Sequence, residues 1–302
     1  MDMAGGVVSV IGATGFVGRH VVARLQECGY TVRAISRRGL RRPEWGERVH
    51  PLAANVETAA GLGSAMVGAD AVIHLVAIPR EADGRTFEAV NVQGVARVLD
   101  AMQAAGTRRI VHLSVLGVTD DPACRYLSSK WRGEQLVRES GLDWVVLRPS
   151  LLFGEGDGFF SLIETTLRWW SPGVVAIPAA GDVRFQPLSV QDLAAGVERC
   201  LAEPARAGSV YELGGPRYLS YRQIVDAVMT ATGHRRLKLP VPVPLLRALT
   251  TVTDRLLPVF PVSHDQVLSL RRPNHTDLDA FERTFRLAPR PFDLSYMNRR
   301  PT

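Results

Sequence analysis

The chain has 302 residues, 46% of them hydrophobic, with three cysteines and a formal net charge of +6. That length suits one large domain or a domain with a smaller partner, and the composition is ordinary for a soluble globular protein. The mild positive charge suits an anionic ligand or surface, but no Lys/Arg run with interleaved aromatics points to nucleic acid. Cys28, Cys124 and Cys200 show neither metal spacing nor a disulfide framework, which suits a reducing compartment. The N-terminus lacks the pattern of a secretory leader, and no apolar stretch reaches the ~18 residues of a membrane span. The expected location is cytoplasmic.

Val7-Val8-Ser9-Val10-Ile11 is short, apolar and β-branched, as a buried strand is. Gly12-Ala13-Thr14-Gly15-Phe16-Val17-Gly18 follows, and apolar residues at helical spacing run from Phe16 to Cys28 before Gly29 stops them. Strand, glycine turn and helix form the context in which three glycines carry meaning. Gly12 permits the tight turn, Gly15 lets the backbone approach a pyrophosphate, and Gly18 lets helix and strand pack closely. The helix N-terminus then offers N–H groups to an anion.

Thr31 to Ser36 reads as the second strand. A dinucleotide fold often ends this strand in an Asp or Glu for the ribose hydroxyls. Here it ends in Ser36-Arg37-Arg38, which favours the extra phosphate of NADP over NAD. Val49 to Leu52 is a third strand, and Asn55-Val56 follows where related folds place a polar residue near the adenine. Thr58 is expected to cap a helix to about Val67. Ala71 to Ala77 reads as a buried parallel strand, with His74 as a packed core histidine.

A helix is expected from Thr86 to Ala105 with Gly106 as its stop, a strand from Arg109 to Ser114, a helix from Tyr126 to Ser140 and a strand from Trp144 to Leu147. Strands alternating with helices predict an α/β fold with a doubly wound, Rossmann-like parallel sheet over residues 1–150, crossed back into by later segments. Residues 151–302 are expected to form a smaller mixed C-terminal domain. In chain order after Pro149 are a glycine-rich loop from Phe153 to Gly158, a helix from Phe159 to Trp170, and short strands at Val174 to Pro178 and Phe185 to Val190. Then come a helix from Asp192 to Ala202, a strand from Ser209 to Leu213, and a helix from Ser220 to Thr232 stopped by Gly233. A Pro-rich apolar stretch starts at Pro240, and helices are expected at Leu245 to Leu257 and His264 to Leu270. Cys28 and Cys200 fall in helices and are expected to be buried.

Ser114 ends a strand, Tyr126 opens the next helix, and Lys130 lies one turn further on the same face. A phenol is a poor acid–base group at neutral pH, and a neighbouring ammonium is expected to lower its pKa. Lys130 can also hold the nicotinamide ribose, and Ser114 can orient a substrate oxygen toward Tyr126.

Gly12-x-x-Gly15-x-x-Gly18, Tyr126-x-x-x-Lys130 and the strand-end Ser114 together resemble the extended and atypical short-chain dehydrogenase/reductase superfamily, of epimerase/dehydratase type. Gln186 to Ala194 and Val210 to Pro216 resemble its later segments. Three segments narrow the resemblance: Tyr126 through Glu134, Leu147 through Phe159, and His264-Asp265-Gln266-Val267. They are similar to the nucleotide-binding accessory subunit of respiratory complex I and its bacterial relatives. That resemblance implies a tightly held NADPH of mainly structural role and a C-terminal part near the quinone-access region at a membrane surface. It implies cofactor contacts at Gly12 to Gly18, Arg37 and Arg38, Asn55 and Val56, Leu75, Val76 and Ala77, Lys130, and Pro149-Ser150.

Three functions stay open at this level. The first is an NADP-dependent oxidoreductase acting on a small-molecule substrate, with Tyr126, Lys130 and Ser114 as catalytic residues. The second is an accessory or assembly subunit of a membrane respiratory complex, peripheral at the inner face of the membrane, with a quinone-related ligand nearby. The third is a nucleotide-sugar epimerase or dehydratase.

Overall fold

The computed structural model describes residues 5–171, 173–179, 183–242, 244–245, 268, 272 and 274–299. The helices expected at Leu245 to Leu257 and His264 to Leu270, and the His264–Val267 segment, lie outside the described residues, apart from the single positions 245 and 268. Two compact units divide the chain, Met1–Arg148 with Val190–Tyr211, and Pro149–Ser189 with Glu212–Thr302.

In the first unit, β1 (Val7–Ile11) lies between β2 (Thr31–Ser36) and β4 (Ala71–His74), parallel to both. Val8 and Val10 are fully buried, which is why this strand reads as a run of β-branched residues without alternation. Adding β3 (Val49–Ala53), β5 (Arg109–Leu113), β6 (Asp143–Pro149) and β11 (Ser209–Leu213) gives a seven-stranded sheet ordered β3-β2-β1-β4-β5-β6-β11. The order reverses between β1 and β4, the switch point of a Rossmann-like doubly wound fold.

Helix α1 (Phe16–Glu27) ends as expected, with Gly29 at φ +81°. Helix α6 (Val190–Ala202) packs on α1, and Arg24 Nη2 stands 3.5 Å from Glu198 Oε2 between them. The Arg109 guanidinium donates to the carbonyls of Cys200 and Glu203, satisfying the open end of α6.

Thr58 does not cap a long helix. Ala59 and Gly61 adopt positive φ (61° and 75°), so α2 covers only Leu62–Met66. Strand β4 stops at His74 because the chain then leaves the sheet, with Ile78 hydrogen-bonded at both its backbone N–H and its C=O to the Asn91 side chain. The helix expected from Thr86 opens with a wide π-turn at Glu88–Val92 before α3 (Gln93–Ala105). Gly106 ends α3 in the left-handed region. Cys200 is buried as expected, whereas Cys28 is half-buried at the C-cap of α1.

The second unit has three two-stranded pairings: β7 (Leu152–Phe153) with β10 (Leu188–Ser189), β9 (Arg184–Phe185) with β12 (Leu219–Ser220), and β8 (Val174–Ala179) with β13 (Leu237–Pro242). The single strand expected over Phe185 to Val190 is therefore two, broken at Gln186-Pro187, and Val190 already belongs to α6. The helix expected to Trp170 ends at Thr165 as α5 (Phe159–Thr165) and widens into a π-turn. Helix α7 (Tyr221–Thr232) carries a complete capping box, Ser220 with Gln223. The core gathers Phe153, Phe160, Phe185, Ile224, Val228 and Phe292, with α8 (Ala280–Phe285) further along the unit. Among the described residues no helix is long and apolar enough to cross a membrane.

Candidate functional site

The turn after β1 is pinned by its own backbone. Gly12 N and Ala13 N donate to Ile35 O at 3.0 and 3.1 Å, and Gly15 N donates to Gly12 O at 3.0 Å. Gly12 has φ +91°, where a side chain is strained. A Cβ on Gly18 would lie 2.1 Å from Gly12 O and 2.8 Å from the Ala13 backbone, so only glycine lets α1 come this close. Thr14 and Gly15 are exposed, and Phe16 and Val17 half-buried. No side chain caps α1 and no acidic residue lies in its first turn, leaving the helix dipole and first amides to an anion. The residues present fit a dinucleotide pyrophosphate.

Beyond β2, Arg37 and Arg38 are exposed and neither is committed to an ion pair among the described residues. Ser36 Oγ accepts from Gly39 N at 3.1 Å. Asn55 Oδ1 accepts from Glu57 N at 2.9 Å, a local turn, and Val56 is packed in the core. Leu75, Val76 and Ala77 lie in the loop after β4, with Leu75 N bonded to Ile11 O at 3.0 Å. Val76 Cγ2 approaches Gly12 so closely that a Cβ there would meet it at 3.1 Å. The structure thus brings this loop against the glycine turn.

Helix α4 (Arg125–Glu139) carries Tyr126 and Lys130 on one face. Lys130 is buried, and its Nζ donates to Leu113 O at 2.7 Å, at the end of β5. Burial pulls its pKa down to about 8, while the Glu134 carboxylate pushes it back up. Tyr126 is half-buried with its ring 5.9 Å from that of Phe87. Burial pushes its phenol up to about 12, with Cys124 adding to the rise. This corrects the expected lowering of the phenol pKa, since the desolvation dominates and Lys130 is not among the charges acting on it. At neutral pH the site therefore holds a protonated phenol beside a cationic lysine, the state suited to giving a proton rather than taking one.

Strand β5 stops one residue before Ser114, which is buried. Its Oγ donates to Glu134 Oε2 at 2.8 Å, so the hydroxyl's one proton is already committed and only its lone pairs remain. Pro149 and Ser150 belong to the second unit and are buried. Ser150 Oγ donates to Asn274 and accepts from Gln186 N at 3.1 Å, so this side chain is occupied within its own unit.

Asn91 was not singled out by the sequence. Its amide accepts from Ile78 N (2.9 Å) and donates to Ile78 O (3.1 Å) and to Ser129 Oγ (3.0 Å). Ser129 in turn donates to Tyr126 O at 2.7 Å. One buried side chain so buckles the loop after β4 to the helix that carries Tyr126 and Lys130. The available signal was a lone amide inside the apolar run Ala89-Val90-Asn91-Val92.

The chain is similar to NADH dehydrogenase (ubiquinone) 1 alpha subcomplex subunit 9 of Dictyostelium discoideum, 28% identical over 243 residues, covering 78% of this chain and 67% of that one. It is similar to a (4-alkanoyl-5-oxo-2,5-dihydrofuran-3-yl)methyl phosphate reductase of Streptomyces griseus, 31% identical over 222 residues, covering 72% of this chain and 71% of that one. A short-chain dehydrogenase/reductase superfamily protein from Agrobacterium tumefaciens, solved with bound NAD, superposes with a TM-score of 0.63 at 28% identity, over 78% of this chain and 86% of that chain. Residues 12–166, which span the glycine turn and the Tyr126–Lys130 helix, match the NAD(P)H-binding family, and the chain belongs to that family.

Proposed function

We propose that the protein is an NADP(H)-dependent oxidoreductase of the short-chain type that reduces a carbonyl of a small molecule. The observation that carries this reading is Lys130, buried and fixed to Leu113 O one helical turn from Tyr126. The reduced nicotinamide, when bound, supplies the hydride to the carbonyl carbon. Tyr126 gives its proton to the carbonyl oxygen, which completes the alcohol. Lys130, fixed at the end of β5, holds the ribose. Arg37 and Arg38 take the extra phosphate. Ser114 can only accept a hydrogen bond in this arrangement, so orientation of the substrate oxygen falls to Tyr126. The reductase named among the similar proteins is consistent with this chemistry. The test is NADPH oxidation against a panel of aldehydes and ketones, with Tyr126→Phe as control. Turnover that survives in Tyr126→Phe would sink the assignment.

A second reading is a structural nucleotide-binding subunit of a respiratory membrane complex. It is supported by the name of the Dictyostelium relative and by an apolar strip on the second unit. There Leu237 (76% exposed) pairs across β13 and β8 with Val174, while Leu239 (56%) and Trp169 (70%) are also open. Mass spectrometry of the nucleotide released from freshly purified protein, with its exchange rate against added NADPH, separates the two. A nucleotide that co-purifies and barely exchanges favours the subunit; rapid exchange favours the enzyme.

A further inference from the structure

Of 36 basic residues, only Lys130 and Lys238 are lysines. The chain uses arginine almost everywhere else, yet it buries an ammonium at the site. An ammonium is a compact charge whose pKa responds to its surroundings, and a guanidinium is charged at every working pH. What sets the charge of Lys130 is therefore a functional question.

Glu134 lies one turn beyond Lys130 and two beyond Tyr126 on α4, and is completely buried. Its Oε2 accepts from Ser114 Oγ at 2.8 Å and from Arg148 Nε at 3.0 Å, and its Oε1 accepts from Arg148 Nη2 at 2.7 Å. Arg138 Nη1 stands 3.8 Å from Oε1. Ser114 follows β5 and Arg148 lies in β6, so one carboxylate ties α4 to two neighbouring strands. Lys130 ties the helix to the same strand end through Leu113 O. Two residues one turn apart on α4 thus grip two consecutive residues, Leu113 and Ser114.

Several groups face this pair. His74 from β4 and His112 from β5 feel the Lys130 charge, and burial keeps both rings neutral. Glu134 is the charge that acts to keep Lys130 protonated. Facing Glu134 are Arg148 from β6, Ser114 after β5, and Arg138 from its own helix. A purely structural ion pair needs Arg148 alone. The hydrogen bond from Ser114 is additional, and it reaches the same strand end that Lys130 grips one turn earlier on α4.

We propose that Glu134 is a positioning residue for the nucleotide site: it accepts the Ser114 hydrogen bond, leaving that hydroxyl as an acceptor, and sets its carboxylate one turn from Lys130 to support the ammonium at the end of β5. This rests on the reading of Lys130 as the residue that holds the nicotinamide ribose. The sparse lysines make a direct test possible. In protein labelled with carbon-13 at lysine Cε, two signals are expected, and Lys238→Arg assigns them. The Lys130 signal should titrate near pH 8 in the wild type. In Glu134→Gln its midpoint should fall by about one pH unit, a tenfold change in acidity. NADPH affinity, read by fluorescence titration, should match the wild type at pH 6 and be weaker at pH 8.5.

The double variant Glu134→Gln/Arg148→Met leaves no guanidinium unpaired in the interior, since Arg138 is solvent-exposed, and should show a smaller downward shift, which covers the case in which the single variant does not fold. A midpoint that stays in place while the unfolding temperature drops would make Glu134 purely structural and overturn the proposal. Equal weakening of NADPH binding at both pH values would overturn it as well. If the wild type binds no NADPH at all, it is the reading of the site that fails, and the Lys130 midpoint still decides whether Glu134 sets its charge.

Discussion

His74 and His112 face each other across β4 and β5 with their Nδ1 atoms 3.1 Å apart. The rings stack with centroids at 5.2 Å and planes 6° apart. One Nδ1 must carry the shared proton and the other must be bare, so the two rings take opposite tautomers. Neither Nε2 has a hydrogen-bond partner among the described residues. Burial pushes His74 down to about 3, and Lys130 adds to the fall; His112 lies well below its ordinary value for the same reasons, with His74 contributing.

This pair makes the fold acid-sensitive. In the unfolded chain both histidines take up protons below pH ~6.5, while the folded pair stays neutral. Stability is therefore full above that value and falls as the pH drops below it, by as much as ~1.4 kcal/mol per pH unit for each ring. Urea unfolding at pH 7.5, 6.5 and 5.5 measures this. The double variant His74→Leu/His112→Leu should flatten the decline. An equal decline in the variant would assign the acid sensitivity to other groups.

Gly18→Ala tests the seat of α1 on the glycine turn. The new Cβ would meet Gly12 O at 2.1 Å, a backbone atom with no side-chain freedom to yield. Overpacking of this kind costs about 1–3 kcal/mol, and the displaced helix N-terminus should bind the pyrophosphate poorly. Thermal unfolding and NADPH titration should both report the loss. A variant with wild-type affinity would mean that the turn does not hold the nucleotide.

Tyr126→Phe should reduce turnover by about a hundredfold or more while leaving NADPH affinity within about twofold, since the phenol's work is proton transfer. In the wild type the phenol stays protonated up to pH about 12, so it should not limit reduction at alkaline pH. Reduction should instead decline above pH about 8, as Lys130 loses its charge. A pH–rate profile in the NADPH-oxidising direction checks the sign.

Arg37→Ala and Arg38→Ala should weaken NADPH binding about tenfold each, and NADH binding little, because a charge-assisted contact to the extra phosphate disappears. The NADPH preference should also fall as salt is raised, given that both side chains are exposed. Tighter binding of NADH than NADPH by the wild type would reverse the assignment.

The sequence by itself determined the frame. The β-branched run of β1, the glycine turn, and the stops at Gly29, Gly106 and Gly233 are local demands of backbone geometry, as is the Ser220 capping box. They can be read without knowing what packs where. The spacing of Tyr126 and Lys130 belongs to the same class, since helical periodicity alone puts them on one face. Only the tertiary structure decided what surrounds them. The Glu134 carboxylate between Ser114 and Arg148, the Asn91 clasp on Ile78, and the stacked His74 and His112 all join residues brought together by strand order. The direction of the Tyr126 pKa shift is of this kind too. Helical spacing suggests a lysine neighbour that lowers it, but burial, which no single segment encodes, is the larger effect and pushes it up.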